Sequence, residues 1–240
     1  MLPTPLTPHL SKLEYESVYE PAGESSLPLA CAPQDTFILL DALEQDAELL
    51  KGSRICLEIG SGSGCVTAFL SGICGPTAAG PDPKQHTRTV YLTTDLNPIA
   101  CESTLLTAET NSHPFVETVN TDLTASLLPR LTRQVDVLVF NPPYVETVDE
   151  EAIEAQAEED KGIEKTWAGG HHGMRVTNRL LEQVKDLLSP RGLFYLVAVP
   201  ENKPLEILSA MKERGLQGEI VLKRRAGREH LHILRFRHLE

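Results

Sequence analysis

No run of about 18 or more apolar residues occurs in the sequence, so no segment is long enough to cross a bilayer as a helix. Basic residues are in deficit: 22 Lys and Arg stand against 34 Asp and Glu, a formal net charge of −12. A chain of that balance is a poor generic binder of nucleic acid or anionic membrane. Cysteines are few and badly spaced for metal, at 31, 56, 65, 74 and 101, with no C-x-x-C pair and an odd total. That argues against a structural zinc site and against a secreted disulfide scaffold. Cys56 and Cys65 fall in apolar runs and read as small buried hydrophobes. The N-terminus, "MLPTPLTPHLSKLEYE", has neither a basic head nor a continuous apolar stretch, which excludes a secretory signal. A reducing, intracellular environment follows, without a bound metal of the chain's own.

What is present is a core. Hydrophobic residues make up 41% of 240, enough for one large α/β domain with extensions. Residues 1–33 are Pro-rich and read as an arm, with a short ordered piece at "YESVYEP"; residues 34–240 read as the domain proper. "DTFILLDALEQDAELL", Asp35 to Leu50, has helical spacing with Asp35 as its N-cap. Then strands and helices alternate. "RICLEIG", "TVYLTTD", "FVETVN", "VDVLVF" and "GLFYLVAV" read as strands one to five. "GCVTAFLSGI", "NPIACESTLLTAETN" (Asn97 as cap, Pro98 at the first position), "VTNRLLEQVKDLL" and "KPLEILSAMKERG" read as helices. "EIVLKRR" and "HLHILRFR" close the chain as a hairpin. This pattern predicts a doubly wound, mostly parallel, seven-stranded sheet with a C-terminal antiparallel hairpin. Residues 74–88 form a Gly/Pro-rich loop, and residues 146–164 a strongly acidic loop insertion.

The chemistry gathers at strand ends, where open α/β sheets bind ligands. "LEIGSGSGCV" places Gly60, Gly62 and Gly64 directly after strand one, preceded by Glu58. The spacing is G-x-G-x-G rather than G-x-G-x-x-G, and a carboxylate there suits an ammonium group better than a pyrophosphate. Asp95 ends strand two, where a carboxylate can hold both ribose hydroxyls. Asp122 follows strand three and can take an exocyclic adenine amine, with Leu123 offering a backbone amide. Taken singly, each has a plain alternative: a structural turn, a helix cap, a loop residue. Jointly they suit a cationic, adenosine-containing ligand without phosphate, and S-adenosylmethionine has those features.

"NPPY", Asn141 to Tyr144, follows strand four. Pro142 and Pro143 end the strand and keep the residue before each extended. The Asn141 side-chain oxygen and the Pro142 carbonyl make two acceptors for one –NH₂ group, with Tyr144 against its flat face. Accepting both N–H hydrogens frees the nitrogen lone pair for a methyl group, and catalysis is then mainly alignment. The plain alternative is a rigid strand-to-loop turn.

"LEIGSGSG", "TTDLNP", "NTDL" and "NPPY", in that order, resemble the HemK-type protein-glutamine methyltransferases. "TWAGGHHG" and "APQDTFILLDAL" extend the likeness, which covers roughly Pro33 to Phe236, and "RGLFYLVAVPEN" and "RGLQG" resemble the eukaryotic branch, which acts on the cytosolic translation release factor. The resemblance implies the Rossmann-like fold of class I S-adenosylmethionine-dependent methyltransferases. It implies methyl transfer to the side-chain amide of the Gly-Gly-Gln glutamine in a class I release factor, in a heterodimer with a small zinc-binding activator. Carried over by motif, Thr36, Glu58, Gly60, Gly62, Asp95, Asp122, Leu123 and Asn141 would hold the cofactor. Asn141, Pro142, Pro143 and Tyr144 would hold the substrate amide. The compartment implied is the cytoplasm, with the nucleus as a second one.

Two other acceptors compete. Adenine N6 fits the same cradle but needs a basic groove, which the net charge opposes. Histone lysine would suit an acidic entrance, yet needs a base that "NPPY" lacks. The basic run near the C-terminus, with Arg224, Arg225 and Arg228, reads first as a strand with one wet face. "PFVETVN" is not blunted by lysine or an internal proline, so strand three at a sheet edge is open to strand addition by the activator. Val116→Asp or Val119→Asp is the substitution expected to weaken that complex.

Overall fold

The computed structural model of the protein describes residues 2–18, 34–75, 89–113, 115–143, 174–226 and 229–239. Its centre is a seven-stranded sheet in the order β3-β2-β1-β4-β5-β7-β6. The strands are β1 (Ile55–Ile59), β2 (Val90–Asp95), β3 (Val116–Asn120), β4 (Val135–Phe140), β5 (Leu188–Ala198), β6 (Leu216–Ala226) and β7 (Glu229–His238). β1 to β5 pair in parallel. β7 alone runs against them, between β5 and β6. The doubly wound sheet with one reversed strand is the one the alternation predicts.

Seven helices cover the sheet among the described residues: α1 (Gln34–Gln45), α2 (Ala47–Leu50), α3 (Cys65–Cys74), α4 (Pro98–Thr110), α5 (Arg175–Leu181), α6 (Val184–Leu187) and α7 (Pro204–Glu213). The central strands are buried on both faces, so their period of two sorts residues between two cores. Cys56, Val137, Val139, Tyr195 and Val197 pack with α1 and α3. Leu57, Ile59, Leu138, Phe140, Phe194 and Leu196 pack with the α5–α7 layer. By the same alternation Glu58, between Leu57 and Ile59, faces the α1 and α3 side. That parity decides which helix each functional side chain meets.

Several boundaries differ from expectation for visible reasons. The first long helix breaks at Asp46, whose carboxylate accepts from Tyr195 Oη at 2.7 Å and pairs with Arg235. Such a fixed partner across the core outweighs the helical preference of the segment. Asp35 lies inside the first turn of α1 rather than ahead of it as a cap, and its Oδ1 accepts the Thr36 N–H at 2.8 Å. The "SPRG" turn lies inside β5: pairing with β4 steps from Leu188↔Val135 to Leu193↔Val137, so four residues bulge out. Asn97 caps α4 as expected, its side chain accepting from the Ile99 N–H at 3.0 Å, with Pro98 at the first position.

The described part of the arm has two 3-10 turns, Pro8–Ser11 and Leu13–Tyr15. The second runs into the start of the "YESVYEP" piece, of which Tyr15 to Val18 are described and Tyr19 to Pro21 lie outside the described residues. Here the arm packs against α4. Tyr15 and Val18 bury against Ala100, and the Asn111 amide bonds both the N–H and the carbonyl of Leu6. Part of the C-terminal basic run turns inward to acids: Arg224 pairs with Asp41, and Arg235 with Asp46 and Glu219. No helix among the described residues is long and apolar enough to cross a membrane.

Candidate active site

Parallel strands place the ends of β1, β2, β3 and β4 on one edge of the sheet. Ile59 stands opposite Thr94 and Phe140, and Asp95 opposite Asn120. β1 and β4 meet where the strand order reverses, which is the crevice such folds use for ligands. Gly60, Gly62, Asp95, Asp122, Leu123 and Asn141 therefore share one rim. Tyr144, the acidic loop at 146–164 and the "TWAGGHHG" segment lie outside the described residues.

The turn after β1 has positive φ at Gly60, Gly62 and Gly64, +68°, +49° and +78°. Gly64 is the most constrained. A Cβ there would sit 2.7 Å from Thr104 Cα, a backbone atom that cannot yield. Gly64→Ala is expected to cost roughly 2 kcal/mol or more, from left-handed strain plus the clash. Urea unfolding at unchanged slope is the measurement that checks it.

α4 explains that close approach. Its inward face carries Ser103, Thr104 and Thr107 beside Ala100 and Ala108, all buried. Thr104 Oγ1 donates to Ser61 Oγ at 2.8 Å, and Thr107 Oγ1 donates to the Ser63 carbonyl. His9 of the arm bonds Ser103 Oγ at 2.9 Å, and burial lowers its pKa. These hydroxyls brace the glycine turn from behind. Their helical spacing in "STLLT" was the signal for them, and hydrophobic periodicity passes over it.

Glu58 is buried, and its Oε2 accepts the Thr67 N–H at 3.0 Å together with the Thr67 hydroxyl. Burial pushes its pKa up to about 8; the two Thr67 bonds oppose the rise and the nearby Asp95 adds to it. Asp95 is a clasp. Its Oδ2 accepts the Gly62 N–H at 3.0 Å and its Oδ1 the Asn97 N–H at 2.8 Å. Burial raises its pKa as well, against those bonds. One buried and one half-buried carboxyl, both held above their ordinary range, create a demand for positive charge. Asp122 forms an ion pair with Arg179 of α5, a partner absent from the sequence reading. Leu123, at φ +49°, holds the uncommon left-handed conformation behind Asp122. Thr36 is buried in the first turn of α1.

Asn141 is half satisfied among the described residues. Its Nδ2 donates to Asp35 Oδ2 at 3.0 Å. Its Oδ1 is buried, and among the described residues no donor reaches it. Leaving such an oxygen unpaired costs about 1–3 kcal/mol. Pro142 and Pro143 have no N–H, so this stretch offers acceptors and no backbone donor. The arrangement matches an incoming –NH₂ group.

A seven-stranded sheet with a reversed β7, a glycine turn after β1 and acids at the next strand ends define an S-adenosylmethionine-dependent methyltransferase of class I. Comparison with known proteins narrows the class, although no family model matches the chain. Methyltransferase HEMK2 of Mus musculus is 48% identical over 235 residues, covering 98% of this chain and 96% of that one. The eRF1 methyltransferase catalytic subunit mtq2 of Schizosaccharomyces pombe is 40% identical over 247 residues, covering 98% and 95%. Among solved structures, the E. cuniculi Mtq2–Trm112 complex, described as methylating the termination factor eRF1, matches with TM-score 0.61 and 27% identity over 93% of this chain and 99% of that one. A ribosomal protein L11 methylase of Lactobacillus delbrueckii, 16% identical with TM-score 0.56, shares the fold. The chain belongs to the HEMK2/Mtq2 family of methyltransferases.

Proposed function

We propose that the chain methylates the side-chain amide of the Gly-Gly-Gln glutamine in the release factor eRF1, working in a heterodimer with a Trm112-like zinc-binding activator. The observation that carries the chemistry is the buried Oδ1 of Asn141, which no donor reaches among the described residues, followed by two prolines that have no N–H. The eRF1 and Trm112 assignments are supported by the relatives named above.

The residues present fit S-adenosylmethionine. The buried carboxyl of Glu58, held near 8, is matched to the amino-acid ammonium. Asp95 stands at the end of β2, where a ribose would lie. Asp122 and Leu123 would meet the adenine, with Arg179 sharing the Asp122 carboxylate. Thr36, Gly60, Gly62 and Asn141 line the same rim. When bound, the cofactor supplies a methyl group on a sulfonium, so the departing sulfur leaves neutral. The chain's own residues do the rest. Asn141 Oδ1 and the Pro142 carbonyl would take the two N–H hydrogens of the amide, with Pro143 ending the stretch; Tyr144, expected against the flat face of the amide, lies outside the described residues. The amide nitrogen then points its lone pair at the methyl. Positive charge growing on nitrogen meets two oxygen acceptors, no side-chain base is needed beforehand, and the methylated nitrogen gives up its extra proton to solvent water after the transfer.

The test is mass spectrometry of eRF1 after incubation with S-adenosylmethionine and the chain co-expressed with its activator. One added methyl on the Gly-Gly-Gln peptide supports the proposal. A methyl only on a histone tail or an oligonucleotide overturns the acceptor.

β3 is an edge strand, with Phe115 exposed beside it. We place the activator there by strand addition. Val116 is buried in the main core at 6% exposure, so an aspartate there would unfold the domain rather than probe the interface. Val119, half-buried on the edge, is the proper probe. Val119→Asp is expected to weaken activator binding at least about tenfold, since a charge facing an apolar contact remains unpaired; unchanged affinity in a pull-down titration removes strand addition at this edge. A release-factor substrate supports the expectation of a cytoplasmic location, with the nucleus as a second compartment.

A further inference from the structure

We infer that Asp35 is a positioning residue for the transfer: it fixes the rotation of the Asn141 amide so that the acceptor oxygen, and not the –NH₂, faces the substrate. The inference rests on the glutamine-amide reading of the site and adds to it a residue that the motif does not contain.

The argument is one of hydrogen-bond polarity. An asparagine side chain has two faces of nearly equal shape and opposite function, an accepting oxygen and a donating nitrogen. A cradle for –NH₂ works in one of the two rotations and repels its substrate in the other. Neither proline of "NPPY" can choose between them, because Pro142 and Pro143 supply no N–H to hold the oxygen inward. α1 makes the choice. Asp35 is 2% exposed, and its carboxylate oxygens can accept but not donate. Oδ1 is held by the Thr36 N–H at 2.8 Å, and Oδ2 receives Asn141 Nδ2 at 3.0 Å. Turning the amide over would set oxygen against carboxylate oxygen at that same distance. The lock leaves Oδ1 of Asn141 buried, on the side of the amide away from the bond to Asp35, and without a donor among the described residues.

The carboxylate has a second effect. A hydrogen bond to an ionised acceptor is stronger than a neutral one and polarises the amide through which it acts. Electron density moves toward Asn141 Oδ1, making it a better acceptor when the substrate nitrogen gains positive charge. The benefit is larger in the transition state than in the bound ground state, so it falls on kcat more than on KM.

The two residues are 106 positions apart, and their polarity can be exchanged. In Asp35→Asn, both partners are amides and the rotation of Asn141 is no longer fixed. In Asn141→Asp, two carboxylates face each other. When both substitutions are made together, the amide now on α1 donates to one oxygen of the carboxylate now after β4. The other oxygen of that carboxylate is left outward as an acceptor. Each single variant, in complex with the activator and assayed on eRF1, is expected to lose about tenfold to a hundredfold in kcat, and Asp35→Asn should keep its cofactor Kd within about threefold of the parent. The double variant should regain at least about tenfold over Asn141→Asp alone. Losses that simply multiply, or that appear in cofactor Kd instead of kcat, overturn the inference. A second readout needs no turnover: the side-chain amide protons of Asn141, observed by ¹⁵N-edited NMR, should move when Asp35 is replaced by asparagine. If they stay, the lock does not exist, whatever the kinetics. If they move while the parent complex leaves eRF1 unmethylated, the lock stands and the substrate assignment falls.

Discussion

Asn141→Ala is expected to reduce methyl transfer to the glutamine amide by about 10²–10³-fold, the usual loss when one preorganised partner of a developing charge is removed. The expected form of the loss is as informative as its size. Asn141 Oδ1 is buried and has no donor among the described residues, so the substrate's N–H is the group proposed to complete it. That interaction strengthens as charge grows on nitrogen, so kcat should fall and the KM for eRF1 should change little. Alanine also takes the Asn141 donor away from Asp35 Oδ2, in a place where the carboxylate is almost wholly out of water. Some stability should therefore be lost as well, on the order of 1–3 kcal/mol. Thermal unfolding measured beside single-turnover rates separates the two effects. If the variant keeps its cofactor affinity and its fold and still turns over within about threefold of the parent, the amide cradle is wrong and "NPPY" is only a turn.

The strand ends were legible in the sequence because three signals coincide there: a buried apolar run, a glycine or proline that ends it, and a polar residue at the junction. Asn141 and Gly60 are found that way, and the strand order brings them side by side. The partners of these residues were not legible. Asp35 read as a helix cap because a cap is what a lone Asp ahead of an apolar helix signals; its contact with Asn141 exists only once α1 has packed over β4. Arg179 was invisible for the same reason, since an exposed arginine on an amphipathic helix carries no mark of the carboxylate it will meet. The α4 hydroxyls were hidden differently. A helix whose buried face is Ser, Thr and Ala has little hydrophobic periodicity, and its value lies in coming close enough to the glycine turn to make the 2.7 Å constraint at Gly64. The same limit applies to Val116 and Val119: both sit in a strand of period two, and only the packing tells that Val116 is core.

Glu58 gives the other large effect, and its direction follows from the sign of its shift. In the folded protein burial holds its pKa near 8, while in the unfolded chain it ionises near the ordinary value of 4.5. The folded state therefore binds an extra proton between those values. Its contribution to stability is complete below about pH 4.5, falls as pH rises through the window, and is lost above about 8. A bound cation reverses the preference, because an ammonium group beside the carboxylate favours the ionised form. Cofactor binding at neutral pH should then release up to about one proton, and affinity should rise with pH until it levels off near 8. Calorimetry at pH 7 in two buffers of different ionisation enthalpy measures that proton. Glu58→Gln keeps an acceptor for the Thr67 N–H and hydroxyl but cannot ionise. The variant should be at least as stable as the parent at pH 8, and should bind S-adenosylmethionine about tenfold to a hundredfold more weakly, as for a lost hydrogen bond between charged groups. It should also lose the pH dependence of binding between 6 and 8. No proton release in the parent, or an unchanged pH profile in the variant, would show that Glu58 serves only to hold the first turn of α3, and the ammonium would have to be met elsewhere on the rim.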